Sequence, residues 1–222
     1  MLEESGHSEN REKNDFLIER IAFFSDAVFA IAITLMIIDI HPPSVQSGDT
    51  SRTVWRKILQ ETPEFMGLTI SFLLIGTTWL RHHQLFKYIR SYDMRFLIIN
   101  LCLLFTIILF PFSTSFLFRS LFENIVTRPQ VIFYLLVPLF SNLVLYLMFR
   151  LVKRKHLVSN PDKAFNEAIF DQGLLILSFS CALLWILIAP INYHYFGYIF
   201  LGVGPSISAI SKSRQKRRST TS

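Results

Sequence analysis

Charge is scarce in this chain. Acidic and basic side chains make up 17% of its 222 residues, where a soluble domain carries about a quarter. Cysteine is almost missing: Cys102 and Cys181 both lie inside apolar stretches, which excludes a disulfide scaffold. There is no Gly-x-Ser-x-Gly, no His-Glu-x-x-His and no glycine-rich phosphate loop, so the chain offers no enzyme mechanism, and no cofactor is expected. What remains is grease. Hydrophobic residues make up 51% of the chain, 22 of them Phe, and the mean hydropathy is +0.41. This composition excludes intrinsic disorder, argues against a soluble domain and points to an integral membrane protein.

A helix needs roughly 20 mostly apolar residues to cross a bilayer. Residues 21–40, 65–80 (extendable back to 62), 96–118 and 130–149 each qualify. Residues 172–211 hold no Asp, Glu, Lys or Arg, twice the length that one helix needs. The stretch Pro190-Ile-Asn-Tyr-His-Tyr breaks that run, because proline lacks a backbone donor and Asn favours a turn. The expected architecture is therefore an all-α, six-transmembrane-helix bundle, its last two spans joined by a tight hairpin. Residues 1–15 read as a polar N-terminal segment, 16–211 as one membrane domain and 212–222 as a basic tail. The first helix is expected to begin near Asp15, a good N-cap, and the polar, mixed-charge start does not fit a cleaved signal peptide.

The net charge of +6 then finds a meaning. Three basic residues precede the first span, four lie between the second and third, five between the fourth and fifth, and five in the tail. These are seventeen of the 22. The opposite side holds only Arg52, Arg56, Lys57, Arg119 and Arg128. By the positive-inside rule both termini are cytoplasmic in a multi-pass protein of the cell membrane. This asymmetry, rather than a nucleic-acid partner, accounts for the basic tail. Residues 42–53 read as an external loop, and residues 53–61 as a short amphipathic helix on the outer surface.

An ionisable group within a span costs about 2.5–3.5 kcal/mol on insertion scales, so it faces protein or water and has a partner. Asp26 is such a group. Its candidate donors are Trp79, His82, His83 and Asn100 near the cytoplasmic ends of the next two spans, with Arg20 one and a half turns before it. A cluster joining the first three helices follows, and packing is the default role. On a wheel of 100° per residue Ala27, Ile31, Thr34 and Ile38 share one face with Leu35 beside them, and Asp26 lies about 140° from Ile31. That stripe faces lipid, a neighbouring helix or an axis shared between subunits. His82 and His83 are adjacent rather than three or four apart, and no cysteine or carboxylate stands at ligand spacing, so no metal site is expected.

The run Arg20-x-x-x-Phe24-Ser25-Asp26 followed by Ala-Val-Phe-Ala-Ile-Ala-Ile-Thr34-Leu resembles the signature of the lysosomal and endosomal potassium channel family (transmembrane protein 175). Ser71-Phe…Trp79-Leu-Arg-His-His83-Gln-Leu-Phe86 is similar to that family's second helix, and Asn100-Leu-Cys-Leu-Leu-Phe…Pro111-Phe112 to its third. The last three spans match by number and topology. The resemblance implies a homotetramer of single six-helix units, as in the bacterial and archaeal members, whose first helices line a central pore. It implies a hydrophobic gate at Ile31, a contribution to potassium preference at Thr34, and further pore lining by Ala27, Leu35 and Ile38. It implies an intrasubunit network of Arg20, Ser25, Asp26, Trp79, His83 and Asn100. Its partners would be permeant potassium ions, the bilayer and three further copies of the chain. With no Thr-Val-Gly-Tyr-Gly filter and no arginine-repeat voltage sensor, selectivity should be modest and voltage dependence slight. The competing reading is a secondary transporter, proton-coupled through Asp26 and His83.

Overall fold

The computed structural model describes residues 2–38, 40, 42–122, 125–155, 157 and 163–189. Six α-helices lie among them: α1 Leu2–Ile38, α2 Ser51–Gln60, α3 Thr62–Phe86, α4 Met94–Phe122, α5 Arg128–Arg154 and α6 Lys163–Ile188. All but α2 are long and apolar enough to cross a membrane. The sixth span expected within residues 191–211 lies outside the described residues.

Two helix starts differ from expectation. Helix α1 begins at Leu2 rather than near Asp15; residues 2–14 hold no proline and several good helix formers, Glu, Arg and Lys, so nothing stops the helix from running back from the membrane. Helix α6 begins at Lys163, nine residues before the charge-free run. Its buried stripe explains why. Phe165, Ala168, Gln172, Leu175, Phe179 and Ala182 repeat at alternating steps of three and four, the spacing of a helix laid along a partner. The partner is α5, where Val131, Leu135, Pro138, Asn142, Leu145 and Phe149 repeat in the same way. A charge criterion stops at Asp171, whereas the packing stripe runs through it.

The helices form one connected bundle. Helix α4 packs against α1, α3 and α5, while α6 joins the bundle through α5. Between spanning helices there is little hydrophobic driving force, because lipid is as apolar as leucine; close packing and hydrogen bonds have to supply the cohesion. Packing is tight at Gly67, where a Cβ would overlap the Phe118 ring, so α3 and α4 approach there as only glycine allows. One turn further along α3, Thr114 Oγ1 on α4 lies 2.7 Å from Ser71 Oγ, which lies 3.0 Å from the Tyr134 hydroxyl on α5. All three are buried. Another hydroxyl pair, Ser141 donating to Thr106 at 2.8 Å, fastens α5 to α4.

The connections follow local chemistry. Helix α2 is capped by Thr50, whose Oγ1 accepts the Thr53 N–H at 3.3 Å, and Pro63 opens α3, where its missing donor costs nothing. Asp93 caps α4 by accepting the Phe96 N–H at 2.9 Å and pairs with Lys155 just past α5. These two contacts, Lys155 first, hold the Asp93 carboxyl below its ordinary value of 3.8.

Candidate functional site

Helix α1 has two unlike sides. Ser25, Phe29, Ala32 and Met36 recur at steps of four, three and four and are buried. Phe29, Ala32 and Met36 pack with Ile75 of α3 and with Leu104 and Phe110 of α4. On the opposite side Ala27, Ile31, Thr34, Leu35 and Ile38 are all exposed, with Ile31 at 56% and Ile38 at 68%. The face picked out by the helical wheel is thus the face that the subunit's own helices leave uncovered. On it, Thr34 donates its hydroxyl hydrogen to the Ile31 carbonyl at 2.9 Å. The Thr34 oxygen keeps its lone pairs for an acceptor role.

The polar groups Ser25 and Asp26 of α1 are gathered by α3 and α4. Trp79 Nε1 donates to Asp26 Oδ1 at 2.8 Å. Asn100 Nδ2 donates to Ser25 Oγ at 3.0 Å, Asn100 Oδ1 lies 2.9 Å from His82 Nε2, and Ser25 Oγ donates to the Ile21 carbonyl at 2.8 Å. The direction of this chain is forced. A carbonyl only accepts, so the serine hydrogen goes to Ile21 and the serine oxygen accepts from the Asn100 amide. Asn100 then presents its oxygen to His82, whose Nε2 must carry a hydrogen. Three helices are joined by one directional run, His82 to Asn100 to Ser25, with its members buried. Satisfied networks of this kind fix a unique arrangement because each alternative leaves a polar group unpaired.

Two members expected in the network sit elsewhere. The hydrogen bond to Asn100 comes from His82, whereas His83 is exposed and touches the cluster only by stacking on the Trp79 ring, centroids 5.6 Å apart. Adjacent residues diverge by about 100° on a helix, and the buried face of α3 runs Ser71, Ile75, Thr78, His82, Leu85. That stripe of steps of four and three was the signal for His82. Arg20 is exposed and makes no hydrogen bond or ion pair among the described residues. The Ser71–Thr114–Tyr134 hydroxyl group has no motif to announce it; it appears only when the three helices are assembled.

Residues 20–111, which contain the α1 motif, the α3 network residues and Asn100, match the family model described as endosomal/lysosomal potassium channel TMEM175. A protein named potassium channel from Streptomyces collinus is 36% identical over 118 residues, 53% of this chain and 56% of that protein. A Danio rerio protein named endosomal/lysosomal proton channel TMEM175 is 36% identical over 76 residues, 32% of this chain and 15% of its own length. The chain spans about half the length of the curated relatives it first matches. Its fold is similar to the crystal structure of a lysosomal potassium-selective channel TMEM175 homolog from Chamaesiphon minutus. That likeness has a TM-score of 0.65 at 24% identity and covers 89% of this chain and 97% of the other. The match runs through the very helices that carry the polar anchor and the uncovered face of α1, and over residues 20–111 the chain is similar to the endosomal/lysosomal potassium channel TMEM175 family.

Proposed function

We propose that the chain is one subunit of a homotetrameric, modestly potassium-selective cation channel of the cell membrane, with both termini in the cytoplasm. Four α1 helices line the pore, Ile31 forms its constriction, and Ala27, Leu35 and Ile38 line the rest. The observation that carries this reading is the exposure of the Ala27–Ile31–Thr34–Ile38 face in a helix whose other side is bonded into its own subunit. The named potassium channels among its relatives support the choice of permeant ion.

The mechanism follows from the chemistry of that face. A ring of four isoleucine side chains leaves a narrow passage without a hydrogen-bonding wall, so water withdraws and ions are stopped by dewetting. Widening the ring by moving α1 readmits water and cations together. One turn further along, the Thr34 oxygens stand in for part of an ion's hydration shell. This favours potassium, which gives up its water more readily than sodium. Ser25, Asp26, Trp79, His82 and Asn100 hold each pore helix in register rather than touching the ion. His83 and Arg20 lie at the border of this anchor.

The test is potassium flux into liposomes holding the full-length protein. Ile31→Asn places an amide in the ring and should raise basal flux at least tenfold over wild type, with sodium flux rising more. Absence of flux in both proteins, with tetramers intact, would refute the pore assignment. A proton-sensitive dye in the same vesicles tells whether protons share the pathway.

A further inference from the structure

The short helix α2 takes no part in the bundle's core. None of its ten residues is buried, and Trp55, Ile58 and Leu59 are exposed, Trp55 at 65% and Leu59 at 67%. On the helical wheel these three fall within a 100° sector, with Arg52 and Arg56 next to its edge on the Leu59 side. Lys57 points to the other side, where Nζ donates to the Ser44 carbonyl at 2.8 Å and to Asp49 Oδ2 at 2.7 Å. Helix α2 holds three basic residues and no acidic one, and neither arginine forms an ion pair among the described residues. Only Glu61 separates α2 from α3, whose first turns expose Phe65 and Met66.

We infer that α2 is an interfacial anchor for outer-leaflet phospholipid, with Trp55, Ile58 and Leu59 set into the headgroup–acyl boundary and Arg52 and Arg56 bound to lipid phosphate. A helix with an apolar sector edged by basic residues lies in the membrane plane. Its arginines reach back to the headgroups along their apolar stems, and tryptophan prefers the same layer. Continuity with a spanning helix places α2 at that depth. Charge complementarity selects phosphate, and an anionic headgroup over a zwitterionic one. The Lys57 contacts extend the anchor further: they fasten the segment that leaves α1 to the top of α2, so α2's seat on the lipid surface also positions the outer end of α1. The inference rests on the membrane reading of α3 and on the outer placement of α2, and is independent of which ion permeates.

The full-length protein, with Cys102 and Cys181 replaced by alanine, would carry an environment-sensitive fluorophore at Leu59→Cys or, as an aqueous reference, at Gln60→Cys. In liposomes, the label at 59 should be quenched by lipids bearing a nitroxide near the top of the acyl chain and shielded from iodide. The label at 60 should be quenched by iodide. Nitroxide-labelled phosphatidylglycerol should quench at 59 more strongly than labelled phosphatidylcholine. That preference should fall about fivefold for each arginine removed in Arg52→Gln, Arg56→Gln and the double variant. The inference is overturned if the label at 59 is shielded from lipid and iodide alike, as under a second copy of the chain. It is equally overturned if 59 is as open to iodide as 60, or if the double variant keeps the full preference.

Discussion

Replacing His82 should cost the protein far more than replacing His83, although the two are neighbours in sequence. His82 is 1% exposed; it bonds Asn100 at 2.9 Å and packs its ring on Phe29 at 5.5 Å and Phe86 at 4.6 Å. Hydrogen bonds between membrane helices are worth about 0.6 kcal/mol on average and about 1.7 at most. Each ring contact adds about 0.5–1.5 kcal/mol, and the side chain removed by His82→Ala leaves a void in a packed layer. Together these give about 2–4 kcal/mol, or about 5–15 °C in Tm for a protein of this size. His83 is exposed and keeps a single stack on Trp79 at 5.6 Å, so His83→Ala should lower Tm by about 1–5 °C. Thermal unfolding of the purified protein in detergent, followed by fluorescence, measures both. A cycle of His82→Ala with Asn100→Ala should show a coupling of about 0.6–1.7 kcal/mol. Equal losses at 82 and 83, or strict additivity in the cycle, would refute the assignment of the network to His82.

Asp93→Ala should lose about 1 kcal/mol of stability through the α4 cap, and Asp93→Asn should keep most of that while losing the pair with Lys155. Because the folded Asp93 carboxyl is held below 3.8, its electrostatic contribution is complete above that pH and disappears as pH falls through the lowered value. The Tm gap between wild type and Asp93→Asn should therefore close between pH 5 and pH 2, and a gap constant over that range would contradict the pairing. Asp26→Asn keeps an oxygen for the Trp79 indole, so it should preserve folding to within about 1 kcal/mol and preserve potassium flux. A folded Asp26→Asn that carries none would make the carboxylate a participant in transport, as in a proton-coupled transporter.

Apolar runs make most of the fold legible in the sequence, because the bilayer demands long apolar helices and leaves few alternatives. Charge is a poorer guide to helix ends, as the start of α6 shows. Lys163, Glu167 and Asp171 hid the first turns of α6, though Phe165 and Ala168 already carried the packing period. Periodicity of 3.6 residues set the Ala27–Ile31–Thr34–Ile38 stripe of α1 apart from Asp26 but left open what faces it; the exposed and buried residues of the folded helix divide along that same line. Two features are not legible in the sequence. Choosing between His82 and His83 needs the phase of α3 against α4, which a motif containing both histidines does not supply. The Ser71–Thr114–Tyr134 cluster needs three helices in register, and isolated hydroxyls within apolar spans are too common to signal it.

If α1 gates the pore proposed above, it has to be held at one place and released at another, and its contacts divide in that way. Its side-chain hydrogen bonds to other helices among the described residues are at Ser25 and Asp26. From Phe29 to Met36 the helix meets α3 and α4 through apolar surface, and Thr34 spends its hydroxyl hydrogen on its own backbone. Directional bonds resist rotation because turning unpairs them, whereas apolar contacts between helices in lipid are replaced by lipid at small cost. Ile31 lies five residues past Asp26, about 7.5 Å along the axis. This separation is short enough for the anchor to set the register of the proposed constriction. It also leaves the C-terminal part of α1 held, among the described residues, by apolar contacts alone, and the segment that follows α1 is tied to α2 through Lys57, which donates to the Ser44 carbonyl and to Asp49. In the proposed pore, displacing that segment acts on the C-terminal end of α1, while the Ser25–Asn100–His82 network holds the helix in register.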